Sequence, residues 1–299
     1  MTTTETAPKT QRPTRHWPHR LVPVVLILLG VAVMLYPIGA TFYNNYRQQE
    51  FARQYQQQLQ RTPQAELDQQ LEAARAYNAQ LDPKAYQDPW DGKPAGDGPE
   101  YQQYLTQLNE HDAMARIRIP TIGVDLPVRH GTSEETLASA VGHLFGTSLP
   151  VGGPGTHAGL TGHTGIQNAS LFDGLIDVAE GDVFYIDVYG ETLAYQVNKI
   201  QVVLPDRIDT LAPVAGQDLV TLITCTPYGV NSHRLLVQGT RIPYDPAADP
   251  SQGSALLQSI QILPWMYARL IGAAIALALL LAMIAGWIGS DLKNRRRAR

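Results

Sequence analysis

The chain has 299 residues, with 23 Lys and Arg against 27 Asp and Glu, a formal net charge of −4. Basic residues are concentrated at the two ends, with four in residues 1–20 and five in residues 290–299, which leaves the middle of the chain acidic. This distribution argues against a nucleic-acid-binding protein, which would carry its basic patch on the folded part, and the single cysteine, Cys225, excludes an internal disulfide.

Two apolar segments without charges, residues 21–43 and 270–290, lie next to the basic ends. Each reaches the roughly 20 residues that a helix needs to cross a bilayer. The positive-inside rule then predicts cytoplasmic tails, 1–20 and 291–299, and an extracellular segment, 44–267. We interpret 21–43 as a retained anchor rather than a cleaved signal peptide, because its apolar part is long. We assign a second membrane helix to 268–290 rather than a buried core helix, because a basic cluster follows it.

Residues 44–81 predict helix, and residues 82–100 predict a loop. Apolar residues recur at helical spacing in the first segment: Leu67, Leu71, Ala74 and Tyr77. One or two helices packed on a domain and a simple stalk are both compatible with this pattern. The second segment is dense in Pro, Gly and Asp and contains Trp90 within Asp88-Pro89-Trp90. We expect the ring of Trp90 to occupy a groove on the neighbouring domain, with an incidental aromatic in a linker as the alternative.

From residue 113 to residue 244, apolar and polar residues alternate, which predicts β-strands. Six segments show the alternation: ARIRIP, GVDLPVRHG, VFYIDVYG, LAYQVNKIQVVLP, LVTLITCT and RLLVQGTRI. Little helical patterning interrupts them, so we predict an all-β barrel or sandwich of seven or eight strands. Residues 133–142 predict a short helix with Ser133 as its N-cap, residues 168–175 predict a further helical turn, and residues 245–267 form a linker.

Three side chains in the β region suggest nucleophilic chemistry. A thiol attacks as its thiolate, so Cys225 needs a nearby positive charge or proton acceptor. Arg234 begins the next strand after the turn TPYGVNS, so both side chains are expected at one rim of the sheet. His163, in LTGHTG, could exchange protons from a separate loop. On residue types alone, an inert buried cysteine with a structural histidine and arginine is almost as well supported as a catalytic role for the three side chains.

The sequence predicts neither a cofactor nor a metal. The segment VGGPGTHAG is rich in glycine but lacks the Lys-Ser/Thr of a phosphate-binding loop. The spacing of the eight histidines follows no metal-binding pattern.

The segment TLITCTPYGVNSHRLLVQGTRI resembles the signature of class C sortases, the pilin-polymerising cysteine transpeptidases of Gram-positive bacteria. Residues 142–165 resemble the stretch that ends in the catalytic histidine of this family, and Asp88-Pro89-Trp90 resembles the lid motif of that class. The resemblance extends over nearly the whole chain. It implies a mainly β fold: a sortase-type closed barrel of about eight strands within 113–244, short helices, an N-terminal helical extension with a lid loop, and two flanking transmembrane helices.

The resemblance also implies roles for individual residues. Cys225 would be the nucleophile, His163 the general acid/base, and Arg234 the group that stabilises the oxyanion and orients the substrate. In the lid, Trp90 would lie over the thiol and Asp88 would pair with Arg234. Three further histidines in the matching blocks receive no catalytic role: His143, His157 and His233. Two positions depart from many relatives, which carry basic residues there: Thr164 and Ser170.

The activity that the resemblance implies is cleavage of an LPXTG-like sorting signal between Thr and Gly, through a thioester, and transfer to a lysine amine of another pilin subunit. Its partners would be surface proteins that carry this signal, at a cell membrane. A housekeeping sortase that uses a cell-wall precursor is the nearest alternative. A cysteine protease and a non-catalytic, membrane-anchored β adhesion module are alternatives from other classes.

Overall fold

The computed structural model describes residues 17–82, 88–90, 98–166, 169–205, 207, 211–250 and 264–297. The chain divides into two compact units, one formed by residues 1–38 with 262–299 and the other by residues 39–261. The second unit contains the predicted β domain together with the helices that precede it.

Two long helices dominate the terminal unit. Helix α1, Trp17–Arg61, begins there and continues into the second unit, and α5, Pro264–Arg297, is the other. The parts at Arg20–Arg61 and Trp265–Arg297 are long and apolar enough to cross a membrane, by length and composition. Large apolar side chains are exposed along both helices, as expected for surfaces that face lipid rather than water.

The predicted extracellular helical segment consists of the end of α1 and of α2, Gln64–Gln80, with the break at Pro63. Proline cannot donate the backbone hydrogen bond that would continue α1, so the chain turns there. The apolar residues of α2 that recur at helical spacing are buried in the main hydrophobic core: Leu67, Leu71 and Ala74. The segment is therefore packed on the β domain, and the interpretation as a simple stalk is wrong. Helix α3, Pro99–Leu105, adds the fully buried Tyr104 to the same core.

Eight strands form a closed barrel, which confirms the predicted fold class. They are β1 Ala115–Ile119, β2 Val124–His130, β3 Val141–His143, β4 Thr156–Thr161, β5 Val183–Val188, β6 Glu191–Val203, β7 Asp218–Thr226 and β8 His233–Ile242. The order around the barrel is β1-β2-β3-β4-β7-β8-β6-β5. Closure pairs all strands and leaves no open sheet edge.

Two short helices predicted from the sequence differ from those in the structure. Helix α4 spans only Glu134–Leu137, with the Ser133 hydroxyl accepting from the Thr136 amide, so the N-cap is confirmed but the predicted helix to residue 142 is too long. The last two residues of the predicted helix, 141 and 142, instead belong to β3, which lies between β2 and β4. Pairing with a strand on each side outweighs local helix propensity there. In the second predicted helical turn, the described residues form a 3-10 helix at Asp173–Asp177, later than expected.

A buried ionic network fastens the segment after β8 to the barrel. Arg118 donates to both carboxylate oxygens of Asp187, at 2.7 and 2.9 Å, and to Asp249 at 2.6 Å. Arg116 donates to both oxygens of Asp125, at 2.6 and 2.7 Å. Strand β1 is buried at every position, so each of its arginines requires such partners.

Candidate active site

Cys225 and Arg234 lie opposite each other on neighbouring antiparallel strands. Strands β7 and β8 pair so that Cys225 faces Arg234 and Thr226 faces His233. Residues directly opposite in an antiparallel pair project to the same face, so the thiol and the guanidinium are side by side at the end of the hairpin. Both residues are buried, with 6% and 5% of their surface exposed. The predicted juxtaposition of these two residues is therefore present.

His163 reaches the same end of the barrel through a parallel pairing. Strand β4 runs parallel to β7 with Thr161 opposite Ile223, so two residues later His163 lies level with Cys225. Two hydrogen bonds keep the chain on β7 beyond the strand: the Gly162 amide donates to the Ile223 carbonyl at 3.0 Å, and the Thr224 hydroxyl donates to the Gly162 carbonyl at 2.7 Å. The three residues singled out by the sequence thus come from three adjacent strand ends.

The segment Asp88-Pro89-Trp90 contacts two of these three residues. Both oxygens of Asp88 accept from the guanidinium of Arg234, at 2.7 Å from Nε and 2.7 Å from Nη2. The indole Nε1 of Trp90 donates to Nδ1 of His163 at 3.1 Å, and the Arg234 guanidinium carbon lies 4.8 Å from the centroid of the Trp90 ring. The ring packs in an apolar groove formed by four buried residues: Leu144, Leu211, Ile223 and Leu236. The rest of the predicted lid loop, residues 83–87 and 91–97, lies outside the described residues.

Burial and these contacts set the protonation and the hydrogen bonding of the three groups. Burial raises the pKa of the Cys225 thiol to about 11; the Arg234 charge opposes this rise, and the Asp88 charge adds to it. Indole N–H is only a donor, so the Nδ1 that accepts from Trp90 is unprotonated and His163 is neutral. Burial also lowers the pKa of His163, although the Glu134 charge partly offsets this. The Arg234 guanidinium is paired with the Asp88 carboxylate.

The other histidines of this region have local partners. The His143 ring is fully buried, with Nε2 2.8 Å from the Ser148 carbonyl and Nδ1 3.0 Å from the Tyr104 hydroxyl, and burial lowers its pKa to about 4. The His157 ring lies 2.7 Å from the hydroxyl of Thr221. His233 pairs with the neighbouring Ser232 hydroxyl at 2.9 Å. These contacts hold the rings of His143 and His157 in place, and the absence of a catalytic role for both stays a prediction.

The amides of the glycine-rich segment are engaged by neighbouring residues of the barrel. The Gly153 amide donates to the Asp218 carboxylate at 2.9 Å and the Gly155 amide to the Gln217 carbonyl at 2.7 Å, so these amides bind the start of β7. Among the residues that the structure describes, no group of three or more His, Cys, Asp or Glu is arranged to hold a metal ion.

Comparison with known proteins decides the family. The profile of the sortase domain matches residues 117–242, from within β1 to the end of β8. Sortase C-1 of Actinomyces oris is 53% identical, with a TM-score of 0.59 over 60% of this chain and 99% of that one. The chain belongs to the sortase family, class C. A sortase C of Streptococcus pneumoniae, described in terms of catalysis and pilin substrate specificity, is 39% identical, with a TM-score of 0.60 over 65% of this chain and 97% of that one.

The match to more distant relatives extends over a smaller part of each relative. Sortase A of Bacillus anthracis is 30% identical over 132 residues, which make up 44% of this chain and 61% of that relative. Sortases are cysteine transpeptidases, so the family supplies the chemical class, and the roles of Cys225, His163 and Arg234 in this sortase follow as proposals.

Sequence reasoning did not identify the residues that hold the His163 loop. The buried Asp173 accepts from Thr164 and Gly165, and Asn45 of α1 exchanges two hydrogen bonds with Ser170, at 2.9 and 3.1 Å. An acid next to Phe172 in an otherwise apolar turn was the available signal for Asp173. No local pattern relates Asn45 to a residue 125 positions later.

Removing the Asp88 carboxylate should make the thiol more reactive. In the Asp88→Ala variant, Arg234 loses its bidentate partner and Cys225 loses a nearby negative charge, so we expect the thiol pKa to fall below about 11. The thiolate fraction at neutral pH rises about tenfold for each unit that the pKa falls. The rate of Cys225 alkylation by iodoacetamide at pH 7.5 should therefore increase, by about tenfold for a fall of one unit, and Trp90→Ala should act in the same direction.

The exposed Asp82 provides a matched control for this measurement, since it is an acid at the start of the same loop. Asp82→Ala should alkylate at the rate of the unsubstituted chain. Equal rates for Asp88→Ala, Trp90→Ala and the unsubstituted protein would show that the segment does not restrict the thiol.

Proposed function

We propose that this sortase is a membrane-anchored transpeptidase. It cleaves an LPXTG-like sorting signal between Thr and Gly and transfers the threonyl group to a lysine amine of another pilin subunit. The observation that carries the proposal is the meeting of Cys225, His163 and Arg234 at adjacent ends of β7, β4 and β8. A thiol nucleophile, a proton donor and a fixed guanidinium that can stabilise an oxyanion are together sufficient for acyl transfer through a thioester.

The first half-reaction forms the thioester. The Cys225 thiolate attacks the threonine carbonyl carbon, and the guanidinium of Arg234 donates hydrogen bonds to the oxyanion that develops there. The C–N bond then breaks, and protonated His163 transfers its proton to the departing glycine amine. The products are a Cys225 thioester of the amino-terminal part, which ends in threonine, and a released carboxyl-terminal fragment with a free glycine amine.

The second half-reaction resolves the thioester. The lysine Nζ attacks the thioester carbonyl while neutral His163 accepts its proton. The tetrahedral intermediate collapses, the C–S bond breaks, and the Cys225 thiolate leaves. The product is an isopeptide bond, and the thiolate and the imidazolium are both regenerated. The thioester retains the activation of the cleaved peptide bond, so no nucleotide is consumed.

The closed lid makes opening an obligatory step in this proposal. Substrate must displace Asp88 from Arg234 and Trp90 from His163, after which the guanidinium can bind the oxyanion and the imidazole can be protonated. A thiol with a pKa of about 11 is protonated in all but about one in ten thousand molecules at pH 7. The closed form is thus a resting state.

The two candidate membrane spans support anchoring of the enzyme beside its substrates. In the proposed arrangement both termini are cytoplasmic and the barrel is extracellular, as the flanking basic residues predict. Class C neighbours, among them the pneumococcal sortase C described for pilin substrate specificity, support a pilin as substrate. Lysine as the acceptor follows from the resemblance of the signature segment to class C sortases. A housekeeping sortase would use the same residues but a cell-wall precursor as acceptor.

The test is trapping of the acyl-enzyme. Full-length protein in detergent, the Asp88→Ala variant, and Cys225→Ala as the blank are incubated with an LPXTG peptide and analysed by intact mass. We expect an adduct of the peptide cut after threonine on the two proteins that retain Cys225, more in Asp88→Ala, released by hydroxylamine. A folded Asp88→Ala protein that forms no adduct would contradict the proposed chemistry.

The acceptor is then identified by adding one amine at a time. A pilin-derived lysine peptide should yield an isopeptide-linked product, whereas a cell-wall precursor amine should not. Transfer only to the precursor amine would assign the housekeeping role instead, and release by water alone would assign a protease.

A further inference from the structure

The turn that carries His163 is held on both sides. Before it, Gly162 is hydrogen-bonded to β7, the strand of Cys225. After it, the Phe172 amide donates to the carbonyl of His163 itself at 3.0 Å. These contacts fix the backbone at Gly162 and His163. They do not involve the two residues that follow His163, which are Thr164 and Gly165.

A single carboxylate oxygen holds both of those residues. Oδ1 of Asp173 accepts from the Thr164 hydroxyl at 3.0 Å and from the Gly165 amide at 2.7 Å. Asp173 is only 7% exposed, and it begins the 3-10 helix Asp173–Asp177. Within the described part of the chain, its second oxygen, Oδ2, is buried without a hydrogen-bond donor. Burial of a carboxylate with one unsatisfied oxygen destabilises the fold, which suggests a role other than stability.

The turn that Asp173 holds also lies close to the loop between β7 and β8. A Cβ added to Gly165 would lie 3.4 Å from the Gly229 nitrogen and 4.0 Å from Cζ of Tyr228. Burial raises the pKa of Tyr228 to about 12, and the charge of Asp173 contributes to that rise. Burial raises the pKa of Asp173 to about 6, while the donors Gly165 and Thr164 oppose the change, so the group is mostly ionised at pH 7.5. The turn after His163 is thus held between Asp173 and the loop that follows Cys225.

We propose that Asp173 is a positioning residue, which fixes the Thr164–Gly165 turn and thereby the location of the His163 imidazole relative to the Cys225 thiol. The inference rests on the proposed function. The Asp173 carboxylate accepts hydrogen bonds from the two residues that directly follow His163. Without them, the chain from His163 to Phe172 keeps its ends but loses the internal contact that sets the direction of the imidazole.

The expected effect is on turnover rather than on binding. A displacement of a reacting group by about 1 Å can cost on the order of a hundredfold in rate. In the Asp88→Ala background and in detergent, Asp173→Ala should lower kcat for LPXTG peptide cleavage roughly ten- to a hundredfold, with little change in KM. Asp173→Asn, whose amide oxygen can still accept both hydrogen bonds, should restore most of kcat. Asp177→Ala, which removes an exposed acid of the same 3-10 helix, is the matched control and should resemble the background.

A double-mutant cycle separates positioning from general loss of structure. Thr164→Val removes one of the two hydrogen bonds and is the milder variant if Asp173→Ala folds poorly. In the presence of Asp173→Ala, Thr164→Val should have almost no further effect on kcat, because its partner is already absent. Independent, multiplicative losses of kcat, or an Asp173→Ala enzyme with unchanged kcat, would overturn the proposal.

Amide hydrogen exchange supplies a readout that needs no activity. The amide of Gly165 should lose protection in Asp173→Ala and keep it in Asp173→Asn, measured by mass spectrometry on the full-length protein. Unchanged protection in Asp173→Ala would overturn the inference even if no peptide were cleaved. Absence of any acyl adduct in the Asp88→Ala background, together with the expected exchange pattern, would instead refute the proposed function and leave the positional contact established.

Discussion

In the Asp88→Ala background, His163→Ala should slow formation of the acyl-enzyme about 10²- to 10⁴-fold relative to Asp88→Ala alone, the range typical of a lost general acid or base. The proposed step needs a proton on the departing glycine amine, and His163 is the group brought level with Cys225 by the pairing of β4 with β7. The measurement is the single-turnover rate of adduct formation from an LPXTG peptide, in the Asp88→Ala background.

The pH dependence of that rate should change shape as well as size. With His163 present, the rate should rise with pH as the thiolate forms and fall as the imidazolium is lost, which gives a bell-shaped profile. Without it, the residual rate should rise with pH and show no descending limb.

His233→Ala is the matched control for this prediction, because this histidine pairs with Ser232 in the neighbouring loop. It should keep the bell shape. A His163→Ala enzyme with an unchanged bell-shaped profile would remove His163 from the mechanism.

Replacement of Arg234 by lysine should change two measurements in opposite directions. Arg234 uses two nitrogens of its planar fork to bind Asp88 in the closed lid, at 2.7 Å each, and lysine cannot reproduce this geometry. The lid should therefore be weakened and the alkylation rate of Cys225 should rise. Acyl transfer should nevertheless fall, by about 10²- to 10³-fold in kcat, the typical cost of losing one oxyanion donor.

The lysine substitution keeps the positive charge that favours the Cys225 thiolate, so a loss of kcat would reflect geometry rather than charge. Arg241→Lys, at the other end of β8 and partly exposed, is the matched control and should alter neither rate. If Arg234→Lys lowered alkylation and acyl transfer together, the arginine would act on the thiol and not on the oxyanion.

Local patterns were sufficient for the class of fold and for the chemistry-bearing residue types. Six strands were predicted from alternation, and the two apolar helices from length and charge, because these features depend on neighbouring residues only. Strands β3 and β4 were missed. The first has only three residues, and the second is buried at all but its first position, so neither alternates between polar and apolar residues.

The juxtaposition of Cys225 and Arg234 was also accessible from the sequence, since a turn of known type joins their strands. The position of His163 was not accessible in this way. It depends on a parallel pairing between β4 and β7, whose partners lie 62 residues apart in the register. Nothing local encodes which strand that segment will join.

The sequence by itself thus determined the mainly β fold and the two candidate membrane helices. It also identified the cysteine, histidine and arginine that are candidates for the chemistry. The resemblance implied the pairing of Asp88 with Arg234, which the structure contains. Only the tertiary structure decided that the helical extension packs on the barrel, that Trp90 donates to His163, and that Asp173 holds the histidine turn. The physical reason is that propensity and hydrophobic period act over a few residues. By contrast, barrel closure and buried hydrogen bonds join residues that are far apart in the sequence, and only the folded topology brings these residues close in space.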